Sequence, residues 1–471
     1  MLGRTAMRRL ALSSLLLALP LAACAGSGAD VDEGDEGWRP EGKSDEAGSP
    51  LKYKTYDVLF TNPLCREYTY PTPLKTADGS ATLTKKPKNV YCSKTDVPAS
   101  AARESSPQNK LLEWLAPLGA ADEVFLAYLS FSNVAVSDRL CELATAGAKV
   151  TFVLDAASTQ SDRLKTCGAE ILLRGHAGSI GYAHNKVILI NPGGDSAYMK
   201  MTFSSGNMSS GVVTHHENWH FIDVKRDSYF GQAHVCLMEA QVSETASSGR
   251  AQFKTALDTC RNAIEAEEES DIKAFFIPHS EDRKRASRYL LGGVTEAAAI
   301  DLGAHRFGHS GLVKALETKL ADGELTLRMV ADDDLYWLDP FVGAPLETGS
   351  NLAFEADNVA KLETAGGDHF EIRFFETNNS EFMLHHNKYL LYRDGDGDAF
   401  GLIAGAANLT GAGFNDNFEN IYWVKIPKVL EAFDTQFARV WDGQRASPDE
   451  QDPPRATPPE KMPVRNASAH L

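Results

Sequence analysis

Short, almost uninterrupted apolar runs recur along the chain, separated by stretches with helical spacing. Val124–Phe131 (VFLAYLSF), 150–155 (VTFVLD), 167–173 (CGAEILL) and 182–191 (YAHNKVILIN) read as strands buried on both faces, with a helix over 137–146. The same series returns further on: a strand over 297–302, a helix over 311–321 (GLVKALETKLA), then strands over 325–333, 369–375 and 384–393 (LHHNKYLLYR). The spacing returns with it. Ile171 lies 13 residues before His184, and Ile372 lies 14 before His386. Strands alternating with helices in two copies predict an α/β fold of two similar α/β/α sandwich halves made by internal duplication, over residues 51–265 and 266–443. One difference stands out. Asp155 to Cys167 is 12 residues, but Asp333 to Asp368 is 35. The added segment, LYWLDPFVGAPLETG and onward, fits a loop that shapes substrate binding and equally one that covers a sheet edge.

The duplicated residues carry chemistry. Each copy has His-x-Lys (His184/Lys186; His386/Lys388), then a small-residue turn with Asn (Asn207 in SSGNMSS; Asn408 in GAANLTG), then Glu (Glu217; Glu419). The Asn follows its His by 23 and 22 residues, and the Glu follows the Asn by 10 and 11. On a strand, residues i and i+2 share a face, so each His projects with its Lys. An ammonium beside an imidazole at the end of a buried strand is costly unless an anion is meant to sit there. Two such sets make a phosphate cradle with one nucleophile and one general acid.

On these motifs the chain resembles the phospholipase D superfamily, marked by HxK(x)4D followed by GSxN, twice per active site. The resemblance covers roughly residues 105–440 and implies one active site between the halves, no cofactor and no metal. It implies His184 as nucleophile and His386 as acid, although the symmetry of the repeat leaves that order open. Lys186, Lys388, Asn207, Asn408 and Ser205 would hold the phosphoryl oxygens, and Glu217 and Glu419 would each fix a histidine tautomer. The chain departs from the pattern at several positions. Asn191 replaces the first motif's Asp; Arg393, followed by Asp394, stands at the second; Ala406 stands where copy one has Ser205.

Two decoys compete. His216-Glu217-Asn218-Trp219-His220 fits the HExxH zinc-protease pattern, but only a helix brings those histidines together. The β-branched and apolar surroundings predict a strand. Asp394-Gly-Asp-Gly-Asp398 resembles the start of a calcium loop, but Gly405 stands where its closing Glu belongs, so a hairpin turn is expected.

Composition and the chain ends narrow the substrate. The chain is 43% apolar and 24% charged, which excludes wholesale disorder. Its net charge of −17 makes it a poor candidate for a general duplex-DNA binder, though it does not exclude a local basic pocket. Residues 1–23 combine Arg4, Arg8 and Arg9 with the apolar run Leu10–Leu21 and end in LAA-Cys24, which resembles a bacterial lipoprotein signal. Cys24 would then carry lipid, and the mature chain would reach −20, because the three arginines leave with no acid. Residues 24–50 are expected to form a disordered acidic tether with a flexible reach of roughly 25–30 Å. Residues 444–471, with six prolines, are expected to be a disordered tail. The six remaining cysteines allow fifteen connectivities; sequential pairing (65–92, 141–167, 236–260) is expected for an exported protein.

The expected function is therefore an exported, membrane-anchored phosphodiesterase that converts phospholipid to phosphatidic acid and headgroup through a phosphohistidine. No obligate protein partner is implied. The alternative is a nuclease of the same superfamily, the one reading under which nucleic acid is the partner. A zinc protease and a catalytically inactive surface-binding lipoprotein are remote.

Overall fold

A computed structural model describes residues 48–75, 82–86, 88, 92–175, 181–244, 250–264, 267–335, 353–377 and 383–456. The expected signal, Cys24 and nearly all of the tether lie outside the described residues. So does the inserted segment from 336 to 352.

Two seven-stranded sheets dominate. The first contains β1 (Tyr53–Phe60), β2 (Glu123–Tyr128), β3 (Lys149–Leu154), β4 (Glu170–Leu173), β5 (Val187–Ile190), β6 (Tyr198–Ser204) and β7 (Asn218–Lys225). The second contains β8 (Ile272–Ile277), β9 (Ala299–Ala304), β10 (Thr326–Asp332), β11 (Phe370–Phe375), β12 (Lys388–Arg393), β13 (Ala399–Gly405) and β14 (Glu419–Val424). Their spatial orders are β1-β7-β6-β5-β2-β3-β4 and β8-β14-β13-β12-β9-β10-β11. The two are one topology repeated. In each, the last three strands run parallel to one another and the other pairings are antiparallel. The parallel strands are linked through helices, as such crossovers require: Val134–Ala146 in the first half and Ser310–Ala321 in the second.

Helices cover both faces of each sheet. The outer face of the first packs Leu126, Phe152 and Ile188 under helices Pro107–Leu115 and Val134–Ala146. The second does the same under Ser280–Glu296 and Ser310–Ala321. The inner faces share a single core. Leu189, Met201, Phe203 and Ile222 of one half meet Tyr389, Leu391, Leu402 and Tyr422 of the other, with Phe203 stacked on Tyr422 at 3.7 Å. Helix Pro427–Trp441 belongs to this core because Val429, Leu430, Phe433, Phe437 and Trp441 recur on one face. Each such side chain, fully buried, contributes about 1.5–3 kcal/mol.

The disulfides Cys65–Cys92, Cys141–Cys167 and Cys236–Cys260 pair sequentially, as expected. The expected disordered tail needs correction over 444–456. This segment straps the halves together, bridging Leu64 through Glu450 and Phe374 through Arg455. Glu450 is buried between Arg103 of the first half and Arg439 of the second. A proline-rich composition reads as open chain, but Leu64 and Arg103 lie hundreds of residues away and leave no local signal.

Candidate active site

The two motif histidines do not lie within strands, as the sequence pattern predicts, but just before them. β5 starts at Val187 and β12 at Lys388. The lead-ins instead pair with the opposite half. His184 N donates to Phe418 O, and Phe418 N to Tyr182 O. His216 N donates to Leu384 O, and His386 N to His216 O. The bridges Ala183–Phe418 and His216–His385 are equivalent positions of the repeat, so a pseudo-twofold axis runs through the junction. Strand-end acids fix these lead-ins: Asp155 accepts from Ala183 N at 2.8 Å and Asp332 from His385 N at 2.5 Å. Both acids are visible in the repeat, yet nothing in it reveals that they serve the backbone one residue before each histidine.

The exchange extends to the side chains. His184 Nδ1 lies 2.8 Å from Glu419 Oε2, and His386 Nδ1 lies 2.9 Å from Glu217 Oε1. Each histidine is held by the glutamate of the other half. With Nδ1–H donating to a carboxylate, Nε2 carries the lone pair. Lys186 Nζ reaches His184 Nε2 at 3.1 Å and His184 O at 3.0 Å; Lys388 Nζ donates to His386 O at 2.6 Å. All six groups are buried. Asn207 and Asn408 sit partly exposed in their turns, and the side-chain oxygen of each has no protein partner.

Ser205 departs from expectation. Its hydroxyl donates to Glu217 Oε2 at 2.5 Å and is wholly buried, so it supports the glutamate and does not face an incoming phosphate. The second half, with Ala406 at that place, supports Glu419 through Asn417 Nδ2 at 3.1 Å. The residue in Asn417's place in the first half is His215, 3.5 Å from Glu217 Oε1. His305 follows β9 and packs 4.7 Å from the ring of His386. Neither histidine belongs to a duplicated motif, which is why the repeat gives no sign of them.

The positions that break the motif are structural. Asn191 adopts φ 53°, a left-handed turn that Asn tolerates, and its side chain ties Glu123 N to Asp122. Arg393 is held by Asp301 and Asp434. Asp394 accepts from the backbone of Asp396 and Asp398, closing the expected hairpin turn. The HExxH pattern is not a helix. His220 lies in β7 and meets Tyr56, whereas His216 meets Gln451 of the strap. On an extended chain they stand about 13 Å apart.

Burial is the first cause of every shift at the junction. It lowers Lys186 to about 8 and Lys388 well below the usual value. It lowers His184 below 6.5, with Glu419 opposing and Lys186 adding; it takes His386 well below 6.5, with Lys388 and His215 adding. Because kcat/KM reports the free protein's groups, two consequences follow. If His386 serves as the acid, as the resemblance implies, the profile is expected to peak on the acid side of pH 6.5, since that ring loses its proton below that value. A further fall is expected above about pH 8, where Lys186 loses its charge. A flat maximum between pH 7.5 and 9 would contradict this assignment.

Residues 297–441 match the family model described as cardiolipin synthase, PLD-like domain. That segment holds β9 to β14, and β2 to β7 repeat its strand order and its His-x-Lys, Asn and Glu positions. Residues 297–441 thus form a PLD-like domain, and the first half repeats its fold. Phosphatidylserine synthase from Haemophilus influenzae is 11% identical, with TM-score 0.51, over 71% of this chain and 84% of that one. Polyphosphate kinase from Porphyromonas gingivalis is 12% identical, with TM-score 0.46, over 76% of this chain; the match spans about half (49%) of the kinase. Nuc from Salmonella typhimurium is 16% identical, with TM-score 0.28, over 40% of this chain and 98% of that one. No curated protein matches the chain by sequence.

Proposed function

We propose that the protein is a phospholipase D-type hydrolase that cleaves phospholipid to phosphatidic acid and headgroup. The observation that carries this reading is the cross-paired junction, with two imidazoles each oriented by the other half's carboxylate beside two buried lysines. A phosphodiester anion placed there offsets the desolvation of both ammonium groups. Lys186, Lys388, Asn207 and Asn408 hold its oxygens. His184 Nε2 attacks phosphorus as the bond to the leaving oxygen breaks, and His386 Nε2–H gives that oxygen its proton. His386 then takes a proton from water, whose oxygen attacks phosphorus and releases His184. Glu419 and Glu217 hold the imidazoles and balance the positive charge that develops on each.

Phospholipid is favoured over nucleic acid because the chain is strongly acidic and because the family model that matches is one of cardiolipin synthase. The substrate class is tested by offering phosphatidylcholine with ethanol, alongside single- and double-stranded DNA. A phosphohistidine reacts with any small alcohol that reaches it, so phosphatidylethanol is expected beside phosphatidic acid, with DNA left intact. DNA cleavage without attack on lipid would replace this reading with the nuclease.

We also propose that the protein is exported and lipid-anchored through Cys24. Three disulfides support an oxidising compartment. Cys24→Ser is expected to move the protein from the membrane to the soluble fraction with its activity on dispersed substrate intact; a variant that still pellets with membranes speaks against the anchor.

A further inference from the structure

The pseudo-twofold symmetry of the junction fails two residues before each glutamate. Asn417 stands beside Glu419, but His215 stands beside Glu217. Around Glu217 this gives a set that its mirror image lacks: His215 Nδ1 at 3.5 Å and His386 Nδ1 at 2.9 Å from the same oxygen, Oε1. One ligand atom from each of His215, Glu217 and His386 falls within 4.8 Å of the others, and all three residues are buried.

We propose that these three residues form a binding site for a divalent transition-metal ion such as Zn²⁺, and that the ion inhibits the protein. The donors suit the ion: two imidazole nitrogens and a carboxylate oxygen, with a fourth position open to water. Zinc bonds of 2.0–2.1 Å place tetrahedral ligand atoms about 3.3 Å apart, and the separations of 2.9 and 3.5 Å bracket that spacing. Ser205 already holds the other carboxylate oxygen, so Glu217 needs no rotation to present Oε1. The ammonium groups of Lys186 and Lys388 oppose the cation, so a set with one formal negative charge makes a dissociable site and not a permanent one. Inhibition follows from the ligands themselves, because metal on His386 Nδ1 removes the hydrogen bond to Glu217 that orients the ring. The mirror set of His184 and Glu419 has an amide in place of the third ligand, so one ion per chain is expected.

The inhibitory part rests on the proposed role of His386; the site itself does not. Calorimetric titration of the full chain with zinc chloride tests the site alone. One ion is expected to bind, and His215→Asn, which reproduces the arrangement beside Glu419, is expected to weaken binding at least tenfold. The zinc concentration that halves the rate should rise by the same factor, and excess EDTA should leave the wild-type rate equal or higher. Equal zinc affinity in both proteins, or none in wild type, overturns the site. If His215→Asn does not fold, the wild-type Co²⁺ complex decides: a strong visible band is expected from a four- or five-coordinate site, and a weak octahedral spectrum overturns it. Zinc binding in a protein that cleaves no phosphodiester would leave the site standing and remove the proposed function. Zinc bound at this site without loss of rate would overturn the inhibition.

Discussion

His184→Ala is expected to lower turnover by about 10⁴-fold or more on every substrate, because no covalent intermediate can form without the attacking nitrogen. His386→Ala is expected to lose about 10²–10⁴-fold on phosphatidylcholine, whose leaving alkoxide needs a proton. On a p-nitrophenyl phosphodiester the leaving group departs unprotonated, and His386→Ala should retain much of its first step. Both rings are buried and oriented identically through Nδ1, so the structural loss on truncation is similar in the two variants. The contrast between substrates therefore isolates chemistry from packing. The rates of both variants on the two substrates check it; if His386→Ala is dead on the activated diester while His184→Ala is not, the two roles are exchanged.

The second large effect is expected at the glutamates. Glu419→Gln and Glu217→Gln should each lower kcat by about 10²–10⁴-fold, since the amide keeps the size of the side chain but not the charge that balances an imidazolium. The two should not be equal. Ser205 can turn its hydroxyl to accept from a glutamine at 217, whereas Asn417 already points an NH₂ at residue 419. Glu419→Gln is therefore the more damaging. A readout beyond rate separates this from loosened packing. Glu419 and Glu217 both hold the Lys186 pKa up against its burial. Removing either charge should move the alkaline fall, near pH 8 in wild type, to lower pH. A variant whose pH profile stays unmoved while its rate collapses would assign these residues to packing alone.

Much of this was legible in the chain because it is written twice. The apolar runs and their order foretell a duplicated α/β fold, and Cys65–Cys92, Cys141–Cys167 and Cys236–Cys260 close short local loops that spacing alone suggests. His184, Lys186, Glu217 and their copies stand out because both halves hold them in register. What the repeat hides is which half serves which. Glu419 and His184 are 235 residues apart, and periodicity within one half cannot reveal a bond to the other. Ser205 was misread for a related reason. A hydroxyl in a small-residue turn looks like an anion ligand until the position of Glu217 shows that it is already engaged. His215 and His305 are absent from the motif because they break the symmetry rather than share it. The tail misled because Gln451 and Glu450 draw their burial from partners on both halves.

The central claim is that a histidine at this junction becomes covalently bonded to phosphorus, and trapping that bond tests it most directly. Wild type and His386→Ala would each be mixed with substrate, quenched in alkali, where phosphohistidine survives, and mapped by peptide mass. The adduct is expected on His184, and it should accumulate in His386→Ala, where no base activates the resolving water. An adduct on His386 would reverse the roles but keep the chemistry. Full turnover with no adduct on either His184 or His386 would contradict the account.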